Sequence, residues 1–474
     1  MIIPINPKSK IPMYEQIYQY LKEEIKSGRL LVHTKLPGTR TLATDLMISR
    51  NTVESAYSQL VSEGYVESHP KSGYYVTEIG TLVHMTKQEK EDKPNKKTSD
   101  FVPDYDFSPF SVDISGFPFS TWRKLSNQCM NDMNRNIFLL GDPQGDLLLR
   151  EEISNYLHEF RGVNCEAQRI LIGAGADYLL QLLSKILGKK CIVAMEDPVY
   201  LRAYQILKGN GYQIIPIPVD KEGIQVEQLY SVPIDFVYVT PSHQYPLGVV
   251  MPIKRRRELL LWAEEKEGRY IIEDDHDSEF RYKGKPIPSL QGIDTAERVV
   301  YLGTFSRAIA PAIRVGYMVL PKQLYNIYIK NYSYYASTVS RIDQAILCEF
   351  IRGGYFERHV NKMRKRYKAK HDTMLRELKI FGNQVQVTGE YAGLYLVAEF
   401  FCGLTEQELI QKAAQKKIQL YGLARHYIDK EKQKLEQKRA IILLGFANLT
   451  EIQITKGIQQ LFICLSKQTE KKNQ

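Results

Sequence analysis

Five short polar segments hold the residues of this sequence that could do chemistry. Each ends or follows an apolar run: "GAGAD" (173–177), "EDPVY" (196–200), "SHQYP" (242–246), "EDDHD" (273–277) and "GTFSR" (303–307). Gly175 and Ala176 precede a helical pattern and would offer free backbone amides to an anion. Thr304, Ser306 and Arg314 would add hydroxyls and a guanidinium to the same group. The pattern predicts a phosphate site.

Two further side chains suit an aromatic ring beside that phosphate. Asp274 would pair with a ring nitrogen that must stay protonated, and Tyr200 would lie flat on the ring. A lone "EDD" is more often a solvated strand end, and each of the other residues alone is a weak signal. In combination they indicate a pocket for pyridoxal 5'-phosphate.

Seven apolar runs would position these segments. Helical patterns separate the runs, which lie at 169–175, 191–200, 212–218, 235–248, 269–280, 298–306 and 314–320. Such alternation is typical of a mainly parallel sheet that helices cover on both faces. Ligands bind these sheets at the carboxyl ends of the strands, where the polar segments fall. We therefore expect an α/β fold for this part of the chain.

Length and composition indicate an ordinary globular protein of two or three domains, with 474 residues, 43% of them hydrophobic and 25% charged. No signal-peptide pattern and no run of about 20 apolar residues occurs, so we expect a cytoplasmic protein without a membrane partner. The six cysteines are scattered singly, with no CxxC pair and no histidine cluster. This predicts neither a disulfide framework nor a metal site.

The formal charge of +10 does not by itself indicate a nucleic-acid partner. Residues 1–79 contain nine Lys or Arg and eight Asp or Glu. The basic excess lies elsewhere, partly in 357–372, where a basic helix face is usually just solvated. Binding to DNA must therefore be argued from motif geometry.

The N-terminal part has the pattern of three helices. Apolar spacing from Tyr14 to Ile25 predicts an amphipathic helix that ends near Gly28. A short helix at 39–47 precedes a third helix, for which Ser49 is the N-cap and Gly64 supplies the stop. The last two helices and their tight connection form a helix-turn-helix.

Two short β runs, at 65–67 and 74–77, follow the helices around a Pro-Lys-Ser-Gly turn. Three helices and a hairpin make an α+β winged helix, which we expect at 1–79. The next stretch, 80–104, is dense in Lys, Glu, Asp, Asn and Pro for most of its length, so we interpret it as a flexible linker.

The second helix of a helix-turn-helix enters the major groove of DNA by its N-terminal end. That end presents Arg50, Asn51 and Thr52, which can hydrogen-bond phosphates or base edges. Arg40 and Lys71 would add contacts to the DNA backbone. Helix-turn-helix units also serve as protein-interaction modules, so the pattern alone leaves both functions open.

The segments "SGRL" and "LPGTRTLATDLMISRNTVESAYSQLVSEGYVESHPKSGYYV" resemble the DNA-binding domain of GntR-type bacterial regulators over residues 11–78. Gly38 departs from that family, which more often has Ser there. The resemblance implies binding to a double-stranded DNA operator through Thr39, Arg40, Arg50, Asn51, Thr52, Lys71 and Gly73.

Residues 105–470 resemble the fold type I aminotransferase module, in "GDPQGDLLLREEISNYL", "EDPVY", "PSHQYPLG", "IIEDDHDSEF" and "YLGTFSRAIAPAIRVGYMVLP". A GntR-type head joined to this module is the arrangement of the MocR-like regulators, which include GABA-responsive, pyridoxine-pathway and taurine-responsive types. The resemblance implies a homodimer and an aminotransferase-like effector domain over 105–474. It also implies a smaller C-terminal α+β subdomain from about 335.

The resemblance assigns roles position by position. Around pyridoxal phosphate it implies ring contacts by Tyr200 and Asp274 and phosphate contacts by Thr304, Ser306 and Arg314, beside the amides of Gly175 and Ala176. Arg202 and Arg425 match positions that hold an effector carboxylate in the GABA-responsive type.

Two positions depart from the resemblance. Arg307 stands at the Schiff-base lysine position, and His276 stands near the cofactor phenolate where Tyr is common. A guanidinium stays protonated and cannot attack a carbonyl as a lysine amine does. Transamination also needs that lysine to move a proton on the substrate carbon, so we predict no classical turnover and no catalytic residue. Lys283 and Lys285 lie outside the motif position and are expected at the surface.

The main hypothesis is a transcription regulator that senses a small anionic or amino-acid-like effector and passes the change to the winged helix through dimer geometry. Three states of the pocket remain open: pyridoxal phosphate held without a covalent bond, another anion in its place, or a vacant pocket that serves dimerisation. The alternatives from other classes are an active aminotransferase of amino acids and a DNA-binding scaffold without a ligand.

Overall fold

The computed structural model of the chain describes residues 3–78, 101–188, 190–282, 284 and 287–466. The chain divides into two units, Met1–Ser99 and Asp100–Gln474. Residues 80–100 of the predicted linker lie outside the described residues, as do Lys283 and Lys285.

The first unit consists of three helices followed by a hairpin: α1 (Met13–Lys26), α2 (Thr39–Asp45), α3 (Arg50–Ser62), β1 (Val66–His69) and β2 (Gly73–Val76). Ser49 Oγ accepts the amide N–H of Thr52 at 3.2 Å and is the N-cap of α3, as its residue type predicts. Gly64 has a φ of +77° and follows the end of α3. Tyr14 differs from expectation: it is 37% exposed, because it precedes Ile17, the first buried residue of α1.

The hairpin forms the wing, with Val66 paired to Val76 and His69 paired to Gly73. Its strands run 66–69 and 73–76, slightly offset from the two runs predicted by sequence. A further segment pairs with β2, since the amide of His33 donates to the Val76 carbonyl at 2.8 Å. The sequence gives little sign of this third strand segment because the run is short and soon meets Pro37.

The second unit alternates strands and helices. The helices of its described part are α4 (Phe119–Cys129), α5 (Leu147–Arg161), α6 (Ala176–Leu187), α7 (Leu201–Gly209), α8 (Ile253–Glu264), α9 (Lys322–Tyr332), α10 (Arg341–Arg352), α11 (Tyr355–Leu378), α12 (Glu406–Gln415), α13 (Lys430–Glu436) and α14 (Glu451–Ser466). No helix in the described part of the chain has the length and hydropathy needed to cross a membrane.

The strands of this unit form a large sheet, a small sheet and one short pair. They are β3 (Tyr105–Asp106), β4 (Ile170–Gly173), β5 (Ile192–Asp197), β6 (Gln213–Asp220), β7 (Gly223–Ile224), β8 (Phe236–Val239), β9 (Tyr270–Asp275), β10 (Val299–Thr304), β11 (Gly316–Val319), β12 (Val385–Thr388), β13 (Tyr395–Phe400), β14 (Ile418–Gln419), β15 (Tyr421–Gly422) and β16 (Ala440–Gly445).

The large sheet has the order β4-β11-β10-β9-β8-β5-β6-β7. Its strands are parallel except β11, which is antiparallel to both neighbours, and β7, which is antiparallel to β6. The central strands β8 and β9 are buried along their whole length, which explains their nearly continuous apolar runs. The predicted α/β fold with a mainly parallel sheet is confirmed, and the carboxyl ends of β4, β5, β8, β9 and β10 meet at one edge.

The small antiparallel sheet has the order β12-β13-β16-β15 and shares a core with α11, α12 and α14. Phe107 and Val112, from the start of the unit, are buried in this same core. The short strand β3 pairs with β14, so the first described segment of the unit is built into its C-terminal part. Helix α10 instead packs against α4 and α5.

Candidate functional site

A cavity of about 650 Å³ lies at the carboxyl edge of the large sheet. All the residues predicted to contact a cofactor or an effector line it: Gly175, Ala176, Tyr200, Arg202, Asp274, His276, Thr304, Ser306, Arg307, Arg314 and Arg425. The fold brings most of them together because they lie where β4, β5, β9 and β10 end, and these parallel strands end at the same edge.

The N-terminus of α6 forms one end of the cavity. Gly175 is its N-cap with a φ of +83°, and a Cβ there would lie 3.1 Å from the guanidinium carbon of Arg314. The prediction that both amides are free needs correction, since the Gly175 amide donates to the Gly173 carbonyl at 2.7 Å. Ala176 begins the helix, and Arg314 contacts the Asp177 carboxylate at 3.3 Å. A guanidinium and a helix N-terminus therefore face the same space.

The loop after β10 contributes two hydroxyls. Thr304 Oγ1 accepts the amide of Ser306 at 3.1 Å, which turns the chain back toward the cavity. The Ser306 hydroxyl is buried and has no hydrogen-bond partner among the described residues. A buried hydroxyl of this kind is costly unless it meets a polar group, so the site suits an oxygen-rich ligand.

The middle of the cavity combines a carboxyl group with aromatic rings. Asp274 accepts a hydrogen bond from the Tyr238 hydroxyl. Burial raises the pKa of Asp274 above its ordinary value, and His276 and the Tyr238 hydroxyl partly offset this effect. Tyr200 meets the edge of Tyr245 with ring centroids 5.5 Å apart. A nitrogen cation beside Asp274 would stabilise its charged form.

His276 lies beside a buried carboxylate. Its Nε2 is 3.3 Å from Asp277 Oδ1, while His243 Nδ1 is 3.0 Å from Asp277 Oδ2. Burial alone would raise the pKa of Asp277, but the two histidines hold it well below its ordinary value. Burial alone would lower the pKa of His276, but Asp277 outweighs this effect and the pKa is raised. Asp277 therefore favours the protonated form of His276 at this edge of the cavity.

Arg307 is partly buried, and its Nη1 donates to the Pro109 carbonyl at 3.0 Å. Burial raises the pKa of the neighbouring Tyr245, and the positive charges of Arg307 and Arg425 partly offset this. Among the residues that the structure describes, no lysine lines the cavity. The side chain at the expected lysine position is thus a charged hydrogen-bond donor without a nucleophilic amine.

The two predicted effector arginines lie at the mouth. Arg202 contacts Asp177 at 3.4 Å, so Asp177 is shared between Arg202 and Arg314. Arg425 is exposed and forms no ion pair with a described carboxylate; its Nε lies 3.5 Å from His426 Nε2. Burial, together with Arg425, lowers the pKa of His426 to about 3. A neutral His426 and a free Arg425 charge leave this part of the cavity able to bind an anion.

In the first unit, the candidate DNA contacts at the start of α3 are solvent-accessible. Arg50 Nε is 2.7 Å from Glu54 Oε1, and the Thr39 hydroxyl reaches the same oxygen at 3.5 Å. Asn51 is exposed and Thr52 is half-buried against the Ser49 cap. Glu54, which the sequence reasoning did not single out, therefore links the first residues of α2 and α3.

The remaining candidate DNA contacts lie on α2 and the wing. Arg40 is exposed in the first turn of α2. Lys71 has a φ of +64° and Gly73 a φ of +117°, so the turn between β1 and β2 uses left-handed backbone at both positions. The φ of Gly73, which residues with a side chain rarely adopt, explains the glycine at the start of β2.

Comparison with known proteins identifies both units. The model of the family "Aminotransferase class I and II" matches residues 111–445, and that of "Bacterial regulatory proteins, gntR family" matches 13–76. The HTH-type transcriptional regulator YdeL of Bacillus subtilis is 39% identical over 96% of this chain and 97% of its own length. The probable rhizopine catabolism regulatory protein MocR of Rhizobium meliloti is 31% identical over 97% of this chain and 95% of its own.

The chain belongs to the MocR-like family of transcriptional regulators. The aminotransferase part of this MocR-like regulator is also similar to a solved kynurenine aminotransferase of Pyrococcus horikoshii. That likeness has a TM-score of 0.68 and 28% identity, and it covers 78% of this chain and 92% of the enzyme chain. The regulator therefore carries the fold of a pyridoxal phosphate-dependent enzyme family.

Several residues at the cavity of this MocR-like regulator were not singled out from the sequence. Asp177 and Tyr245 lie inside the segments "GAGAD" and "SHQYP", so their positions were visible but their roles were not. Phe110 and Thr240 also line the cavity. Phe110 gave no signal because it comes from the start of the unit, far from the sheet in sequence.

The residues fit pyridoxal phosphate in two respects that the structure itself provides. The cradle at Gly175 would be filled by any Cβ, and the buried Ser306 hydroxyl has no partner among the described residues. Both features suit a phosphate group beside Arg314. The fit fails in one respect, because no lysine among the described residues lines the cavity to form a covalent bond with the aldehyde, and the guanidinium of Arg307 cannot form one.

Proposed function

We propose that this regulator binds operator DNA through its winged helix and a small anionic or amino-acid-like effector in its aminotransferase-like domain, with pyridoxal phosphate held without a covalent bond. The observation that carries the proposal is Arg307. Its guanidinium lies in a cavity whose described lining contains no lysine, and it already donates a hydrogen bond to the Pro109 carbonyl. The cavity thus has groups that can bind pyridoxal phosphate and lacks the amine that transamination requires.

The absence of transamination follows from the chemistry of Arg307. A guanidinium remains protonated at neutral pH and spreads its charge over three nitrogens, so it neither attacks a carbonyl nor removes a proton from a substrate carbon. Pyridoxal phosphate, when bound, supplies an aldehyde and an electron-accepting ring. This chain can orient that ring but offers no group at position 307 to transfer protons.

Each part of the cavity has a binding role in the proposal. The Ala176 amide, the hydroxyls of Thr304 and Ser306, and Arg314 hold the phosphate. Asp274 holds a protonated ring nitrogen, Tyr200 packs on the ring, and His276 donates to a ring oxygen. Arg202 and Arg425, at the mouth, hold the carboxylate or other anionic group of the effector, since both guanidiniums are exposed there.

The DNA-binding part of the proposal rests on α3. Arg50 and Asn51 are exposed at its N-terminus, where the helix dipole and the side chains both favour contact with DNA. Two copies of the chain in a homodimer would present two such helices to two half-sites. A footprint on operator DNA should therefore cover half-sites separated by one or more helical turns, and protection of a single half-site would contradict a dimer.

The test is a titration of the full-length protein with pyridoxal phosphate, followed by borohydride reduction and mass spectrometry. We expect saturable binding by the unmodified protein without a reducible covalent adduct, and a reducible adduct in the Arg307→Lys variant. Arg202→Lys is the matched control, because it places a lysine at the mouth of the same cavity and should give no specific adduct.

Two outcomes would overturn the proposal. The absence of saturable binding in both proteins would exclude pyridoxal phosphate and leave another anion as the ligand. Amino-group transfer from an amino acid to a keto acid by the unmodified protein would instead establish an active aminotransferase.

A further inference from the structure

Three side chains of types that can bind metal ions meet at the wall of the cavity: His243, His276 and Asp277. His243 Nδ1 lies 3.0 Å from one carboxylate oxygen of Asp277, and His276 Nε2 lies 3.3 Å from the other. The candidate ligand atoms of all three residues lie within 4.8 Å of one another. The two imidazole rings are nearly parallel, with their centroids 5.9 Å apart.

The cluster is buried, and its hydrogen bonding is incomplete. The side chains of His243 and Asp277 are each 1% exposed. His276 Nε2 is buried and, despite its nearness to Asp277, makes no hydrogen bond with a described residue. A buried polar nitrogen that makes no hydrogen bond costs free energy, so a group that satisfied it would be favoured.

The surrounding backbone leaves space for these rings. A Cβ at Gly393 would lie 2.0 Å from His243 Cε1, so only glycine permits the histidine to occupy its place. Gly393 has a φ of +83°, which also favours glycine. His243 is therefore held by close packing before any ligand arrives, as donors in a metal site must be.

We propose that His243, His276 and Asp277 bind a divalent transition-metal ion of the Zn²⁺ type. Two imidazole nitrogens and one carboxylate form a common protein ligand set for zinc. Bonds of about 2.0 to 2.1 Å in a tetrahedron put neighbouring donor atoms roughly 3.3 Å apart. The two donor distances to Asp277, 3.0 and 3.3 Å, are close to this spacing.

The site would keep one position open toward the cavity, because His276 is the member of the cluster that lines it. Three protein ligands with an open fourth position are typical of zinc sites that bind water or a ligand. Asp274 adds a second negative charge near His276, whereas Arg307 opposes a cation there. The fourth ligand would therefore be an anionic group of a molecule in the cavity. This inference holds with or without pyridoxal phosphate.

The test is calorimetric titration of full-length protein, freed of metal and of pyridoxal phosphate, with Zn²⁺ alone. We expect about one ion per chain, at least tenfold weaker binding by His276→Gln, and a similar loss for Asp277→Asn. His158→Gln is the matched control: it removes an exposed histidine on α5 of the same unit and should change nothing. Because Asp277→Asn could misfold, the comparison relies on His276→Gln, whose residue lies at the cavity surface. Circular dichroism checks that both variants fold.

Titration with Co²⁺ supplies a second readout, because its visible absorption reports coordination geometry. A tetrahedral cobalt spectrum that disappears in His276→Gln would support the site. An absence of saturable Zn²⁺ binding, or equal binding by the parent protein and both cluster variants, would overturn the proposal and leave the three residues as an ion-pair network.

Discussion

Glu196→Gln should make the second unit more stable at alkaline pH and leave it nearly unchanged at pH 5. Glu196 is 2% exposed at the end of β5, and burial raises its pKa from 4.5 to about 7, although hydrogen bonds from Thr240 and Gln244 oppose this. One carboxyl oxygen accepts the Thr240 hydroxyl at 2.9 Å, whereas Oε1 has no partner among the described residues. A glutamine carbonyl can replace the first oxygen, and its amide group can occupy the place of the second.

The size of the effect follows from the two pKa values. The folded state keeps its proton up to about pH 7, whereas the unfolded chain releases it near pH 4.5, so the folded state binds more protons between them. Stability therefore falls as pH rises through this window. At about 1.4 kcal/mol per pKa unit, ionised Glu196 costs roughly 3 kcal/mol above pH 7, and the glutamine variant avoids this cost.

Thermal unfolding of the parent protein and of Glu196→Gln at pH 5 and pH 8 tests this reasoning. The variant should melt several degrees higher than the parent at pH 8 and at a similar temperature at pH 5. Glu227→Gln, at an exposed position of the same unit, should give no pH-dependent difference. If Glu196→Gln were destabilising to the same extent at both pH values, Thr240 and Gln244 would require the ionised carboxylate and the argument would be wrong.

Three further substitutions test the DNA-binding unit and the cavity. Arg50→Ala should weaken operator binding by about 1 to 3 kcal/mol in a mobility-shift titration if Arg50 contacts a base, while Ser58→Ala on the same helix should not. Ser49→Ala should lower the stability of the winged helix by about 1 kcal/mol in denaturant unfolding, since it removes the cap of α3; no change would mean that water replaces the cap. Gly393→Ala should destabilise the second unit by about 2 to 4 kcal/mol, because its Cβ would overlap His243, and an unchanged melting temperature would show that this ring can move.

Local patterns in the sequence were sufficient to predict much of the fold. Ser49 capped α3 as its residue type indicates, and the apolar runs became the strands of the large sheet. The polar segments converge because parallel strands share one carboxyl edge, a property that follows from topology alone. For that reason residues as distant in sequence as Gly175 and Thr304 could be predicted to share one cavity, whereas Arg425 was expected there only from the family resemblance.

Contacts between residues distant in the chain could not be predicted from the sequence. No local sequence pattern indicates that the Pro109 carbonyl accepts a hydrogen bond from Arg307, or that Asp177 forms ion pairs with two arginines. The His243–Asp277 contact was invisible for the same reason, because no short motif spacing joins the two residues. The predicted free amide of Gly175 was wrong because a tight turn back to Gly173 uses it, a detail of backbone geometry that residue types do not specify.

The cavity depends on residues from both the start and the end of the second unit. Asp106 accepts the Tyr421 hydroxyl at 3.0 Å across 315 positions of sequence, and Arg425 completes the mouth of the cavity. A nascent chain therefore lacks a complete cavity until nearly all of it has left the ribosome. The winged helix is made first and is built from local contacts, so it can fold much earlier. The winged helix of each new copy can thus be complete before its cavity is.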